Sequence, residues 1–280
     1  MPELPEVETI ARGLRPHILG RTITDLEVRQ PQLRWPVPVA ELRQYLIGNQ
    51  FTTLERRGKV LLLTTATATG VLLIHLGMSG TVQLRSERVP WQRHDHWQMV
   101  FDHDPVLLLR YHDPRRFGAL LWCRIASLAQ HPLLARLGPE PLDAAFNAEW
   151  LLQQITGRRR LIKQWLMDHT CVAGIGNIYA SEALFHAGIH PMQPVGSLNL
   201  AACQRLVTAI QATLRRAIDQ GGTTLRDFAD SQGRSGYFQQ QLAVYGRQGQ
   251  PCHHCQTPVE RLKMGQRSTF FCPSCQASLT

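Results

Sequence analysis

The chain has 280 residues, 44% of them hydrophobic, and a formal net charge of +9. That apolar content is enough for a buried core, which excludes wholesale disorder, and the length allows two domains of ~100–200 residues. Apolar runs such as Val71–Ile74 and Val106–Leu109 fall far below the ~18 residues of a membrane span, and Glu3, Glu6 and Glu8 precede the first cation, Arg12, the reverse of a secretory signal.

Pro5–Leu14 is the first predicted element. It reads as a short helix, with proline in the first turn, Glu6 and Glu8 at the positive end and Gly13 near the stop. Short β-branched or apolar segments follow between turn residues: Arg21–Gln30, Phe51–Arg57, Val60–Thr64, Val71–His75, Val82–Arg85, Trp97–Phe101, Val106–Arg110 and Ala119–Trp122. About eight such strands predict a β-sandwich or barrel over residues 1–134. The Pro-rich stretch Leu137–Leu142 marks a connector, taken as residues 135–146. Beyond it the period becomes helical, over Asn147–Thr156, Leu161–Asp168, Asn177–Ala187 and Leu198–Gln220, giving a helical domain at 147–243 and a cysteine-bearing module at 244–280. The predicted class is therefore α+β.

The charge is unevenly placed. Residues 1–150 hold 17 Lys+Arg against 15 Asp+Glu, and residues 151–280 hold 13 against 6. Three lysines, Lys59, Lys163 and Lys263, stand beside 27 arginines. An arginine-rich cationic half suits a polyanion such as nucleic acid, because the guanidinium forks onto phosphate. It also fits a merely soluble surface.

Four of the seven cysteines form Cys252-x2-Cys255-x16-Cys272-x2-Cys275. Two such knuckles offer four thiolates to one zinc ion, and the intervening residues can return as a hairpin that turns at Gly265-Gln266. A core this small needs a crosslink or a metal, so the zinc would be structural. Redox chemistry and a pair of disulfides are the weaker alternatives, since three isolated thiols (Cys123, Cys171 and Cys203) point to a reducing compartment. His253 and His254 are read as solvated. Between two helices lies Cys171-Val-Ala-Gly-Ile-Gly-Asn177, where Gly174 and Gly176 permit a sharp turn and Asn177 could cap the next helix and help bind phosphate. An ordinary αα-hairpin fits the same segment equally well. Arg158–Arg160 and Lys163 tilt it toward phosphate.

Removal of Met1 would leave Pro2 with a free secondary amine beside the Glu3 carboxyl. An α-amino group titrates near ~8, so part of it is neutral and nucleophilic at pH 7, and attack on a sugar C1′ would give an iminium that drives elimination. Taken alone, Met78 and Phe117 would be core side chains, Arg115 the ion-pair partner of Asp113, and Lys59 an edge-strand charge.

Taken together, the residues resemble the formamidopyrimidine-DNA glycosylase family over nearly the whole chain. The resemblance rests on the ordered set Pro2–Glu8, Arg57–Lys59, His75–Gly80, His94–His96, Asp113–Gly118, Leu137–Pro141, Gly174–Ala180, Gly188–Pro191, Gln220–Thr224 and the four-cysteine finger. It implies an N-terminal β-sandwich, a helix–two-turn–helix domain and a zinc finger. It implies Pro2 as Schiff-base nucleophile, Glu3 as general acid/base, Lys59 on a phosphate near the lesion and assisting β-elimination, and Arg267 on the finger hairpin with a part in δ-elimination. His94, Arg159, Lys163 and Asn177 would contact DNA. Met78, Arg115 and Phe117 would fill the duplex where the damaged base leaves, with Arg115 reading the orphaned cytosine. The implied partner is duplex DNA bearing oxidised bases, and the implied protein is a cytoplasmic, nucleoid-associated bacterial monomer with one Zn2+.

Ser231–Phe238 is rich in glycine and polar residues and reads as a mobile loop over a flipped base. Gln232 and Ser235 stand where the family's loop has Asp and Pro, and Arg158–Arg160 stand where lysines are common. The leading expectation is excision of 8-oxoguanine and formamidopyrimidines followed by β,δ-elimination. An endonuclease VIII-like enzyme for oxidised pyrimidines is the second, disfavoured by Glu3-Leu4-Pro5. A non-catalytic zinc DNA-binding protein is the third; it would bind intact and damaged duplex alike.

Overall fold

A computed structural model describes residues 2–102, 106–222 and 241–277. The chain divides into two compact units, Met1–Arg136 with Gln220–Gln239 and Leu137–Asp219 with Gln240–Thr280. The predicted loop Ser231–Phe238 lies outside the described residues. Among the described residues no helix is long and apolar enough to cross a membrane.

The first unit opens with α1 (Leu4–Ile18). It runs four residues past the predicted end, through Gly13 and Pro16. Burial overrides both breakers: Val7, Ile10, Ala11, Leu14 and Ile18 recur at helical spacing and all enter the main core. The strands are β1 (Ile23–Val28), β2 (Phe51–Arg57), β3 (Val60–Thr65), β4 (Gly70–His75), β5 (Thr81–Arg85), β6 (Asp95–Phe101), β7 (Leu107–His112) and β8 (Ala119–Arg124). They form two antiparallel four-stranded sheets, in the orders β1-β6-β7-β5 and β2-β3-β4-β8. The sandwich core takes Leu26, Val82 and Met99 from the first sheet and Leu61, Leu63, Leu72 and Ile74 from the second. On the second sheet's outer face, Val60, Val71 and Leu73 pack with Leu128, Leu133 and Leu134. Both faces of β3 and β4 are thus covered, and their sequences are near-continuous apolar runs. No strong sequence signal marks α2 (Val39–Leu46), an eight-residue helix that buries only Leu42 and Leu46.

The division after Arg136 falls inside the predicted connector. The rest of that stretch is packed into the second unit: Gly138 N–H donates to His169 O at 2.8 Å, Pro139 O accepts from Ala173 N–H at 3.0 Å, and Phe146 is fully buried. The helices are α3 (Ala148–Ile155), α4 (Ile162–Leu166), α5 (Asn177–Ala187) and α6 (Leu200–Asp219). A two-stranded hairpin, β9 (Glu260–Met264) and β10 (Arg267–Phe271), completes the unit, with Arg267 opposite Met264 across the turn.

Candidate DNA-processing site

In the first unit, Pro2 and Glu3 are buried at the start of α1, with Glu3 only 2% exposed. The Glu3 backbone N–H donates to the Glu6 carboxylate at 2.8 Å, the return bond of a capping box that fixes the entry of the chain. One turn on, Glu8 accepts from Arg56 Nε at 3.1 Å and so ties α1 to the end of β2. There Arg57 pairs with Val60, leaving Gly58-Lys59 as a two-residue turn. Gly58 holds φ 56°, the value a glycine-first hairpin turn requires, and so places Lys59 at the tip.

Met78, Arg115 and Phe117 are brought together. They line one groove of about 690 Å³ with Arg34 and His75. Met78 is 37% exposed and Phe117 40%, so neither is core. The Arg115 guanidinium lies 4.8 Å from the Phe117 ring centre, a cation–π contact that keeps both at the surface. Asp113 organises the loop from beneath. Fully buried, it accepts from Ser79 Oγ at 2.6 Å, Tyr111 OH at 2.9 Å and Gly118 N–H at 2.9 Å. What it takes from Arg115 is the backbone N–H, at 3.2 Å. The two loops are in close contact: a Cβ on Gly77 would sit 2.4 Å from the Phe117 carbonyl carbon.

His75 is a site residue to which no role attached in the sequence. Burial, then Lys59 and Arg34, pull its pKa down to about 4, so it is neutral at pH 7. Its Nδ1 accepts the Gly77 N–H at 3.0 Å, which leaves Nε2 as the protonated nitrogen. Its sequence signals were its place at the end of an apolar strand and at the head of the motif His75–Gly80. His94 sits at φ 75°, its ring edge-on to His112 at 5.9 Å, and its carbonyl accepts from Asp113 N–H at 3.0 Å. Burial and then Arg93 lower its pKa as well.

In the second unit, Arg159 is exposed, whereas Arg160 pairs with Asp168 at 2.7 Å. Burial pushes the Asp168 carboxyl up, but hydrogen bonds from Arg160 and Thr170 prevail and hold it at about 2. The cap of α5 is Gly176, not Asn177. Asn177 is already helical, and its amide instead reaches the finger, donating to Ser268 O at 3.0 Å. Lys163 is only 1% exposed, and its ammonium donates to Thr269 Oγ1 at 2.8 Å. Arg267 is exposed at the hairpin tip.

The four finger cysteines converge. Cys252–Cys275, Cys255–Cys272 and Cys255–Cys275 Sγ distances are 3.9, 3.4 and 3.5 Å. A tetrahedron of Zn–S bonds of ~2.3 Å has edges of ~3.8 Å, so one zinc fits. Backbone N–H groups of His254 and Cys275 donate to Cys252 and Cys272 sulfur, each at 3.4 Å, as thiolate knuckles need. Hydrogen bonds from the Thr257 side chain and backbone hold the Cys255 thiol down to about 6. His253 and His254 are exposed, as expected, and the His254 ring lies 5.0 Å from that of Phe185. The finger is docked on α5 by further polar contacts. Glu182 accepts backbone N–H bonds from Ala243, Val244 and Tyr245 at 2.7, 3.0 and 2.8 Å, and Gln276 donates to Ile189 O at 2.8 Å.

Three family models match in order: the formamidopyrimidine-DNA glycosylase N-terminal domain at residues 1–120, the formamidopyrimidine-DNA glycosylase H2TH domain at 137–229, and the zinc finger found in FPG and IleRS at 249–277. The formamidopyrimidine-DNA glycosylase of Methylococcus capsulatus is 51% identical, across 99% of this chain and 100% of that protein. Among solved structures, a Lactococcus lactis FPG mutant in complex with Fapy-dG-containing DNA matches at TM-score 0.91 and 32% identity, covering 99% of this chain and all of that one. MutM in complex with carbocyclic 8-oxo-G-containing DNA matches at TM-score 0.89 and 33% identity with the same coverage. With a sandwich that opens on a buried Pro2-Glu3, a four-thiol knuckle and matches from end to end, the chain belongs to the formamidopyrimidine-DNA glycosylase family.

Proposed function

We propose that the protein is a DNA glycosylase with AP lyase activity that removes oxidised purines from duplex DNA during base excision repair. The observation that carries this reading is the burial of Pro2 and Glu3 together at the start of α1, in a chain that matches a formamidopyrimidine-DNA glycosylase over its full length.

Once Met1 is removed, the Pro2 nitrogen attacks C1′ while the N-glycosidic bond breaks, and the base leaves with the electron pair and takes up the proton lost from the Pro2 nitrogen. Glu3 protonates O4′, opening the sugar to an iminium on Pro2. The iminium makes the C2′ proton acidic. Its removal expels the 3′ phosphate by β-elimination, and a second elimination expels the 5′ phosphate. Water then hydrolyses the iminium and frees Pro2. The target base must leave the stack, at a cost of a few kcal/mol, and Met78 and Phe117 are the exposed apolar groups suited to occupying the gap. Arg115 reads the opposite base from its seat over Phe117. Lys59 and His94 from the first unit, and Arg159, Asn177 and Arg267 from the second, serve the phosphates. Zinc holds the finger and takes part in no step. The protein works in the cytoplasm on the nucleoid, as a monomer.

Borohydride added to protein and an 8-oxoguanine:C duplex should trap one covalent complex, and mass mapping should place the adduct on Pro2. An adduct on another side chain, or no trapping by processed, zinc-loaded protein, overturns the mechanism. Faster excision of thymine glycol than of 8-oxoguanine would move the protein to the oxidised-pyrimidine branch.

A further inference from the structure

A lysine ammonium is seldom buried, because the charge loses its water and must find other partners. Lys163 is nevertheless 1% exposed. Its Nζ donates to Thr269 Oγ1 at 2.8 Å and to Ser268 O at 3.4 Å. Asn177, on the far side of the glycine turn, donates to the same Ser268 carbonyl at 3.0 Å. The two helices of the helix–two-turn–helix pair, α4 and α5, thus grip one dipeptide of β10.

That dipeptide directly follows Arg267. Strand residues two apart share a face, so Thr269 and Arg267 project from the same side of β10. Thr269 is fully buried, whereas Arg267 overhangs as the first residue after the turn. Arg160, Lys163, Arg267 and Thr269 line one groove of about 380 Å³. Lys163 therefore lies at the floor of a cationic groove whose rim carries the exposed arginine.

We propose that Lys163 is a positioning residue. It holds the finger hairpin through Ser268 and Thr269 so that Arg267 meets a DNA phosphate at the groove rim, and it makes no phosphate contact of its own. This rests on the DNA-processing reading above, and it replaces the simpler expectation that Lys163 touches DNA.

The test uses full-length, zinc-loaded protein and a duplex carrying a stable abasic-site analogue. Affinity is measured across a salt series for wild type, Lys163→Met, Thr269→Val, Thr269→Ser, Arg267→Ala and the Lys163→Met/Arg267→Ala double variant. Lys163→Met and Thr269→Val should each weaken binding about tenfold, the scale of one hydrogen bond to a charged group, while Thr269→Ser, which keeps the hydroxyl, should bind like wild type. Lys163→Met should add less than about twofold on top of Arg267→Ala, because both act through one contact. Thr269→Val binding like wild type while Lys163→Met is weak would overturn the proposal. So would additive losses in the double variant with a further drop of about one in the salt slope, the mark of a direct phosphate contact. If Lys163→Met loses zinc, the Val/Ser pair at position 269 still decides. Wild-type protein that fails to bind the analogue or to trap on borohydride would instead refute the functional reading.

Discussion

The two units hold their functional side chains by different means. In the first, a large apolar core carries the fold; Pro2 and Glu3 are buried at the start of α1, the other working residues project from turns at the core's edge, and the fully buried Asp113 fixes backbone and hydroxyl donors of two loops. In the second, the finger has a small apolar cluster of its own, shared with Phe185 of α5, and is seated by the buried polar side chains Lys163, Glu182 and Gln276 and the half-buried Asn177, together with four thiols. A site on a thick core can lose one working group without unfolding. A site seated by polar contacts and a metal is lost when either is removed.

The sharpest test of this contrast is in the first unit. Glu3→Gln should cut base excision by about 10²–10⁴-fold, the usual worth of a general acid, while the melting temperature stays within a few degrees of wild type. Single-turnover kinetics beside calorimetry would check it, and a collapse of stability would show the site to be part of the core. Zinc removal comes next. Chelation under reducing conditions should abolish tight duplex binding and expose the amides of β9 and β10 to hydrogen exchange, with sandwich strands still protected. Loss of protection in both units together would erase the distinction. Asp113→Ala should cost roughly 3 kcal/mol in denaturant unfolding, because several buried donors lose their acceptor. It should also weaken lesion binding by releasing the Arg115–Phe117 loop. The smallest effect is pH dependence at His75. Its folded pKa lies near 4 and its ordinary value is 6.5, so the unfolded chain takes up the proton first. Stability is intact above pH 6.5 and falls as pH drops toward 4, by at most about 3 kcal/mol. In His75→Gln that slope should vanish from urea titrations.

Much of this was legible in the chain. β2 and α5 occupy the predicted spans because turn glycines and apolar runs bound them cleanly: Gly58 closes the first, and Gly188, at φ 66°, ends the second. The thiol spacing announced the finger and its Gly265-Gln266 turn. Local signals misled where distant packing intervened. Gly13 read as the stop, yet the sandwich needs Leu14 and Ile18 inside it, and the helix runs on through Pro16. Asn177 suited a cap, but the finger carbonyl at Ser268 claimed its amide. Lys163 looked like one more surface cation because nothing in its helix reveals that β10, about a hundred residues later, will cover it. Asp113 and His75 escaped for the same reason, since their partners come from separate turns and strands.

Glu182 gathers three consecutive amides, from Ala243 to Tyr245, onto one carboxylate. The finger's starting point is therefore set by a side chain of α5 and owes nothing to the length of chain arriving from residue 222. Substitutions in that intervening stretch should therefore leave the zinc module at the same seat.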